Sequence, residues 1–400
     1  MKLADRIQHL GTETVFAVSA AATARAQQGY KVYPFHIGDI DLPTPPTIVA
    51  AQAKAIAEGK KGYCPPEGIR PLREALADDV GKERNLQYRA ENVAIQPGGK
   101  PVIGKFLQTL MNPGDEVLCP SPGFPIYESQ IEYFGGVCKH YRFVPTGSGF
   151  AVDFDYLKSL ITPKTRFLIF NNCQNPTAAE SDQAEVDALA ELAIKHNLWV
   201  LSDEAYTELR YDGKKTCYLS AVPGMQERTV ILYTFSKKFA MTGWRLGGAI
   251  GPEPLIKVMS QLNLNDESCT TQFVQWAGVE GLRNPDTLIY VKQMMDTLHQ
   301  RRDVGYDLLN SISGIKCHKP ENAFYLFPDV TDAMTRKGFT DVNAFATAAL
   351  ENASVSFATR KHFCRPLPGE TRQYVRLSYS GISAENIREG LGQLKAWIES

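Results

Sequence analysis

One segment of the chain combines a lysine and an arginine with hydroxyl groups that can hold an anion. Lys237 follows Thr234 and Ser236 at the end of an apolar run, and Arg245 lies eight residues further on. A lysine amine forms an imine with an aldehyde and can then carry a proton. An arginine guanidinium donates two parallel hydrogen bonds to a phosphate. The segment therefore predicts imine chemistry beside a bound phosphate, and a solvated lysine pair on a loop is the alternative.

Parallel strands are predicted to position this segment. Stretches with helical spacing lie between apolar runs, at 103–111 and 189–197. This alternation predicts βα units that form a mainly parallel sheet, with the chemistry at the carboxyl ends of the strands. The predicted strands are the apolar runs at 93–99, 116–122, 166–172, 198–204 and 229–236.

The pattern changes near residue 285, where a long polar helix begins. Short apolar runs then alternate with helical stretches up to the C-terminus, which is typical of an α+β domain. We therefore expect a large domain at 51–285, a small C-terminal domain at 286–400, and an N-terminal arm at 1–50 that also forms part of the small domain.

Composition excludes several classes of protein. The 43 basic and 44 acidic residues give a net charge of -1 without a basic block, which disfavours nucleic acid and anionic lipid as partners. No window approaches the roughly 20 apolar residues of a membrane span. The eight cysteines are scattered without a C-x-x-C motif, so they predict neither a metal site nor a disulfide framework, and a cytoplasmic location fits best.

The segment TFSKKFAMTGWRLG at 234–247 resembles the cofactor-lysine signature of fold-type I pyridoxal-phosphate-dependent aminotransferases of class I/II. It is close to the form S-K-x-x-x-M-T-G-W-R-x-G of the aspartate aminotransferase-like subgroup. The resemblance implies that Lys237 holds the cofactor as a Schiff base and that Arg245 binds its phosphate, with Thr234 and Ser236 as further donors.

Two more motifs resemble the same family in the expected order. The segment NNCQNPTA resembles the N-P-x-N-P-T-G loop of the family, with Ala178 in place of the glycine, and implies that Asn175 bonds the phenolic oxygen of the cofactor. The segment SDEAY implies the same role for Tyr206. Asp203 would lie under the pyridine nitrogen, where its charge keeps the ring protonated and able to take up electrons. In isolation, such an aspartate is more often a helix cap and such a tyrosine a packing residue.

Further cofactor contacts follow from the resemblance. Gly98, Gly99 and Lys100 lie between a predicted strand and a predicted helix, where backbone N–H groups can face the phosphate. Phe124, in the segment PGFPIY, would stack on the pyridine ring, with core packing as an equal alternative. Tyr63 would reach the phosphate of a partner subunit, which implies a homodimer with shared active sites.

The resemblance also assigns substrate contacts. Gly38, in HIGDIDLPTP, and Asn175 would bind the substrate together with Arg376, whose fork would hold the α-carboxylate. Lys100 would contact a distal carboxylate. The loop at 358–363 lacks the glycine that the family has there. Its Arg360, Lys361 and His362 could recognise an anionic side chain or be solvated.

The sequence thus predicts an α/β protein of the fold-type I class, with a large domain whose mainly parallel sheet is flanked by helices and a smaller α+β domain. Its expected activity is ping-pong transamination from an L-amino acid to a 2-oxo acid, with a weak preference for dicarboxylic substrates and 2-oxoglutarate. A carbon-sulfur β-lyase or another α-carbon enzyme is the main alternative. A regulatory binding protein is disfavoured, as is a nucleotide enzyme, because Phe106 replaces the magnesium-binding hydroxyl in G-x-x-x-x-G-K at 99–105.

Overall fold

The computed structural model describes residues 2–400. The helices are α1 (Val15–Gln27), α2 (Pro46–Ala57), α3 (Arg70–Arg84), α4 (Lys100–Leu110), α5 (Ile126–Tyr133), α6 (Phe154–Ser159), α7 (Gln183–Lys195), α8 (Phe235–Lys238), α9 (Glu253–Asp266), α10 (Gln272–Arg283), α11 (Pro285–Asn310), α12 (Thr331–Arg336), α13 (Val342–Ala353) and α14 (Ala384–Glu399). The strands are β1 (Tyr33–Pro34), β2 (Val93–Gln96), β3 (Glu116–Ser121), β4 (Val137–Pro145), β5 (Phe150–Val152), β6 (Thr165–Asn171), β7 (Trp199–Asp203), β8 (Thr229–Thr234), β9 (Gly247–Ile250), β10 (Tyr325–Leu326), β11 (Val355–Ser356), β12 (Ala358–Thr359) and β13 (Val375–Ser378).

A central sheet of eight strands has the order β2-β9-β8-β7-β6-β3-β4-β5. Its interior pairs β4·β3, β3·β6, β6·β7 and β7·β8 are parallel, whereas β9 and β5 run antiparallel to their neighbours. The predicted α/β class and mainly parallel sheet are confirmed. All residues of β2, β3 and β8 are buried, as expected for strands covered by helices on both faces.

Strand direction brings the predicted chemistry to one edge of the sheet. The strands β2, β3, β6, β7 and β8 point the same way, so the segments that follow them meet at their carboxyl ends. Strand β9 was not predicted, because its sequence Gly247-Gly-Ala-Ile offers little alternation. It starts at this edge immediately after the Arg245 segment.

The C-terminal part has its own small sheets. Strands β10, β13 and β12 form an antiparallel sheet, and β1 pairs in parallel with β11. A hydrophobic cluster joins Tyr33 and Phe35 of the N-terminal segment to buried residues of α11, α13 and α14. The N-terminal segment is therefore built into the C-terminal part of the chain.

One cysteine pair departs from the prediction that the cysteines form no disulfide framework. Cys119 on β3 and Cys138 on β4 are joined by a disulfide, and the other six cysteines are free. Spacing motifs detect cysteines that are close in sequence, whereas these two become neighbours because β3 and β4 pair side by side. Among the described residues, no helix is long and apolar enough to cross a membrane.

Candidate active site

A cleft of about 540 Å³ opens at the carboxyl edge of the central sheet. Both the central sheet and the C-terminal part of the chain contribute to its walls. The predicted site residues that line it are Gly38, Gly99, Lys100, Phe124, Asn175, Asp203, Tyr206, Thr234, Ser236, Lys237, Arg245 and Arg376. Residues separated by more than 300 positions in the sequence therefore meet in one cavity.

Lys237 lies in the cleft on α8, the short helix that follows β8. Thr234 caps this helix by accepting a hydrogen bond from the backbone N–H of Ser236, and this cap fixes where the lysine leaves the strand. The Lys237 ammonium donates to the Gly38 carbonyl at 2.7 Å. Burial lowers the pKa of Lys237 to about 8. A larger fraction of this amine is therefore uncharged near neutral pH than for a solvated lysine.

This pKa predicts how fast the cofactor-free protein captures an aldehyde. Only the uncharged amine of Lys237 attacks a carbonyl, so the rate of pyridoxal phosphate attachment should rise about tenfold per pH unit below pH 8 and level off above it. Stopped-flow absorbance of the attached chromophore measures this rate. A rate that continues to rise towards pH 10.5 would mean that Lys237 titrates as a solvated lysine.

Asp203 ends β7 and is buried below the cleft. Its carboxylate accepts from the Tyr127 hydroxyl at 2.5 Å and from the Ala205 N–H at 3.2 Å. Burial raises the pKa of Asp203 to about 6, despite these hydrogen bonds. A buried carboxylate of this kind favours a cationic partner, such as a protonated ring nitrogen.

A cradle for an anion lies where β2 leads into α4. Gly98 has a φ of +99°, and a Cβ atom there would lie 2.3 Å from Nη2 of Arg245. At Gly99 a Cβ atom would lie 2.9 Å from Leu232 and 3.3 Å from Thr234. Glycine thus keeps backbone, guanidinium and hydroxyl close together at the free N–H groups of a helix start. These groups fit the phosphate of the cofactor.

Arg376 is buried on β13 and faces the other side of the cleft. Its guanidinium donates to the Asn175 side-chain oxygen at 3.0 Å and to the His36 carbonyl at 2.7 Å. The rings of Tyr325 and Phe363 lie 4.6 and 4.7 Å from it. Its buried Nε has no hydrogen-bond partner within residues 2–400. The guanidinium therefore retains capacity for a further acceptor, such as a carboxylate.

Several cleft residues were missed by the sequence reasoning. Tyr325 bonds the Tyr206 hydroxyl at 2.7 Å, and a Cβ atom on Gly38 would lie 2.4 Å from its oxygen. Tyr127 supports Asp203, and Glu13 lines the mouth. His362, one of the three loop residues that the sequence offered for an anionic side chain, lines the mouth as well. Tyr127 ends the quoted PGFPIY segment, but nothing in the sequence indicates that these side chains point inward.

Three of the predicted site residues lie outside the cleft lining of this chain: Gly98, whose neighbour is the Arg245 guanidinium, and Tyr63 and Arg360. Tyr63 is 87% exposed, and Arg360 is buried at 3% exposure in another network. The Arg360 guanidinium donates to Ser121, Glu370 and the Phe363 carbonyl, each at 2.7 Å. The structure therefore does not bring Arg360 to the cleft, because these acceptors hold it between its own loop and the end of β3.

The loop of Asn175 retains the conformation that a glycine would allow. Ala178 occupies the position at which the family motif has glycine, and its φ is +54°. A non-glycine residue in this left-handed region carries a modest conformational cost. The Ala178 N–H donates to the Gln174 carbonyl at 2.7 Å, and the Asn175 N–H donates to the Asn171 side chain at 3.0 Å. These bonds hold Asn175 in the cleft.

Comparison with known proteins adds to this geometry. The profile of the family described as aminotransferase class I and II matches residues 30–394. The aspartate aminotransferase of Geobacillus stearothermophilus is 33% identical, covering 100% of both chains. The aspartate/prephenate aminotransferase of Cereibacter sphaeroides is 31% identical, covering 99% of this chain and 98% of its own. The structure of Thermus thermophilus aspartate aminotransferase with maleate has 32% identity and a TM-score of 0.91, covering 99% of each chain.

Proposed function

The chain belongs to the class I and II aminotransferase family and is a pyridoxal-phosphate-dependent transaminase, and we propose that it prefers aspartate- and glutamate-type substrates with 2-oxoglutarate as acceptor. One observation carries this preference. Two cationic groups, Arg376 deep in the cleft and Lys100 at its mouth, line the same cavity. A dicarboxylic substrate presents two carboxylates, one for each cation.

The proposed roles of the cofactor-binding residues follow from their surroundings. When bound, pyridoxal phosphate supplies an aldehyde for the substrate amine and a ring that takes up electrons. Arg245, Thr234 and the glycine cradle would hold the phosphate, and Asp203 would keep the ring nitrogen protonated. Phe124 would pack on the ring. These contacts would orient the cofactor before the substrate arrives, so the reaction itself loses less orientational entropy.

Lys237 is proposed to attach the cofactor and then to move the substrate proton. Its lowered pKa allows the free amine to act as a base near neutral pH. Asn175 and Tyr206 are proposed to bond the phenolic oxygen of the cofactor, and the Gly38 backbone to assist Arg376 at the α-carboxylate. In each half of a ping-pong cycle, the Lys237 amine would thus take up a proton from the substrate and give it back without releasing it to solvent.

A homodimer with shared sites is part of the proposal. The 87% exposed ring of Tyr63 lies outside the cleft of its own chain, which suits a residue that contributes to the site of a partner. We also propose the division into a large domain at 51–285, a small domain at 286–400, and an N-terminal arm at 1–50 that forms part of the small domain. The start of α11 at Pro285 and the packing of Tyr33 and Phe35 support it.

The alternatives differ in support. A carbon-sulfur β-lyase would use the same cofactor contacts, and it remains the second candidate because those contacts are shared. The nucleotide-binding alternative requires Lys105 to face a phosphate. Instead, the Lys105 ammonium is buried against Asn263 at 2.7 Å and Glu267 at 2.6 Å, away from the cleft.

The proposed substrate preference is tested by measuring where the amino group of each donor goes. The purified holoenzyme is mixed with a panel of L-amino acids and then 2-oxo acids, and absorbance, amino acid products and ammonia are recorded. We expect aspartate to pass its amino group to 2-oxoglutarate, and glutamate to pass its amino group to oxaloacetate, at least tenfold faster than uncharged donors do. Stoichiometric release of ammonia would instead support the lyase.

Arg376→Lys supplies a matched variant for this panel. It keeps the positive charge but loses the fork, so we expect KM for the amino acid to rise about 10- to 100-fold for all donors alike. The absorbance of the bound cofactor should be unchanged. An unaltered KM would place the α-carboxylate elsewhere.

A further inference from the structure

A carboxylate shares the mouth of the cleft with Lys100. Glu13, which lies just before α1, accepts an ion-pair hydrogen bond from the Lys100 ammonium at the start of α4. Its side chain is 17% exposed, whereas that of Lys100 is 48% exposed. Both residues line the cleft. The cation assigned to a distal carboxylate is therefore already paired within the protein.

The charge of the Glu13 carboxylate acts on residues of the reaction centre. Burial lowers the pKa of both Lys237 and Arg376, and the negative charge of Glu13 acts on both in the opposite direction. It thus acts within the cleft and not only at the surface. A second carboxylate entering this space meets both Lys100 and a like charge.

The segment that carries Glu13 is held against the cleft at a second point. The Thr14 hydroxyl lies 2.7 Å from Nδ1 of His362. Val15 and Phe16 also line the cleft, and Phe16 is 58% exposed. Glu13, Val15 and Phe16 therefore form one wall of the mouth, and the contact between Thr14 and His362 holds the chain next to Glu13 in place.

We propose that Glu13 is an exchangeable counter-charge of Lys100 that sets the balance between acidic and uncharged substrates. This inference rests on the proposed function and extends it. An uncharged substrate side chain leaves the pair intact, so no unpaired ammonium is left beside it. A distal carboxylate of the substrate replaces Glu13 as the ion-pair partner of Lys100, and the Glu13 side chain moves away. The enzyme therefore accepts both classes, and Glu13 lowers its preference for the acidic one.

The experiment compares Glu13→Gln with the unmodified holoenzyme on aspartate, glutamate, leucine and phenylalanine. Loss of the competing charge should raise kcat/KM for the two acidic donors about five- to tenfold, and leave the two uncharged donors within about twofold. The control is Glu132→Gln. Glu132 pairs with Arg365 outside the cleft, so this variant should change neither class.

Lys100, the ion-pair partner of Glu13, is tested in the same way. Lys100→Gln leaves Glu13 without a counter-ion, so acidic donors should be used less well than by the unmodified enzyme. Adding Glu13→Gln to this variant should restore part of the loss. Equal effects of Glu13→Gln on acidic and uncharged donors, or a loss for the acidic donors, would overturn the proposal.

Binding of maleate tests the role of Glu13 separately from the proposed preference for dicarboxylic substrates. Maleate has two carboxylates and no amino group, so calorimetry reports its affinity without turnover. If no dicarboxylic donor reacts, the proposed substrate preference fails, yet tighter maleate binding by Glu13→Gln would still support the counter-charge. Unchanged maleate affinity would refute the role of Glu13 even in an enzyme that uses aspartate.

Discussion

Replacing Lys237 with alanine is expected to lower transamination about 10⁴-fold or more, because the chain then lacks both the amine that attaches the cofactor and the base that moves the proton. Pyridoxal phosphate should still bind through the Arg245 cradle, but without a covalent link to the chain. Steady-state rates, together with the absorbance of the cofactor before and after borohydride treatment and denaturation, measure both effects.

The neighbouring lysine provides the control for this variant. Lys238 pairs with Asp79 and Glu208 and lies outside the cleft lining. Lys238→Ala should lower stability while the remaining folded protein keeps turnover within several-fold. Addition of a small primary amine should partly restore Lys237→Ala, because a free base can enter the space left by the side chain. Turnover retained by Lys237→Ala without added amine would refute its assignment.

Asp203→Asn should show the second large effect, a fall in turnover of about 10²- to 10³-fold. The amide retains the shape of the carboxylate and can accept from Tyr127, but it no longer offers a charge to a protonated ring nitrogen. Substrate affinity should change far less than turnover. A variant with full activity would mean that ring protonation does not depend on Asp203.

The same variant has a stability readout that depends on pH. Because burial raises the pKa of Asp203 to about 6 from an ordinary 3.8, the folded protein binds this proton more tightly than the unfolded chain. The ionised carboxylate therefore destabilises the cofactor-free fold above about pH 6, and this cost disappears as the pH falls below 4. Asp203→Asn should raise the melting temperature at pH 8 and leave it unchanged at pH 4.

Glu204, the residue next to Asp203, serves as the control, because its replacement should lower stability and leave turnover nearly unchanged. Glu204 is buried against Arg84, and their side chains are 2% and 4% exposed. Glu204→Gln leaves the arginine without its counter-charge, so the free energy of unfolding should fall by about 3 to 5 kcal/mol. Turnover of the folded protein should change little. A similar loss of turnover in both variants would mean that the Asp203 effect is structural.

Local sequence patterns determined the elements that carry the site. The five buried runs became strands because each is apolar on both faces, and helices α4, α5 and α8 follow β2, β3 and β8 after short connections. Strand β9 and the β4–β5 pair escaped prediction, because glycine-rich or half-exposed strands lack a clear period. The disulfide was missed for a related reason, since it joins neighbouring strands rather than a local motif.

The sequence alone determined which residue types were available for the chemistry and in which order: a lysine after a strand, glycines before a helix, and an aspartate at a strand end. Only the tertiary structure decided which of them meet. It placed Arg376 beside Asn175 and turned Arg360 away from the cleft, because Ser121 and Glu370 supply the hydrogen bonds that a buried guanidinium needs. It also paired Glu13 with Lys100 across 87 residues, a contact that depends on how the N-terminal segment packs and that no local pattern records.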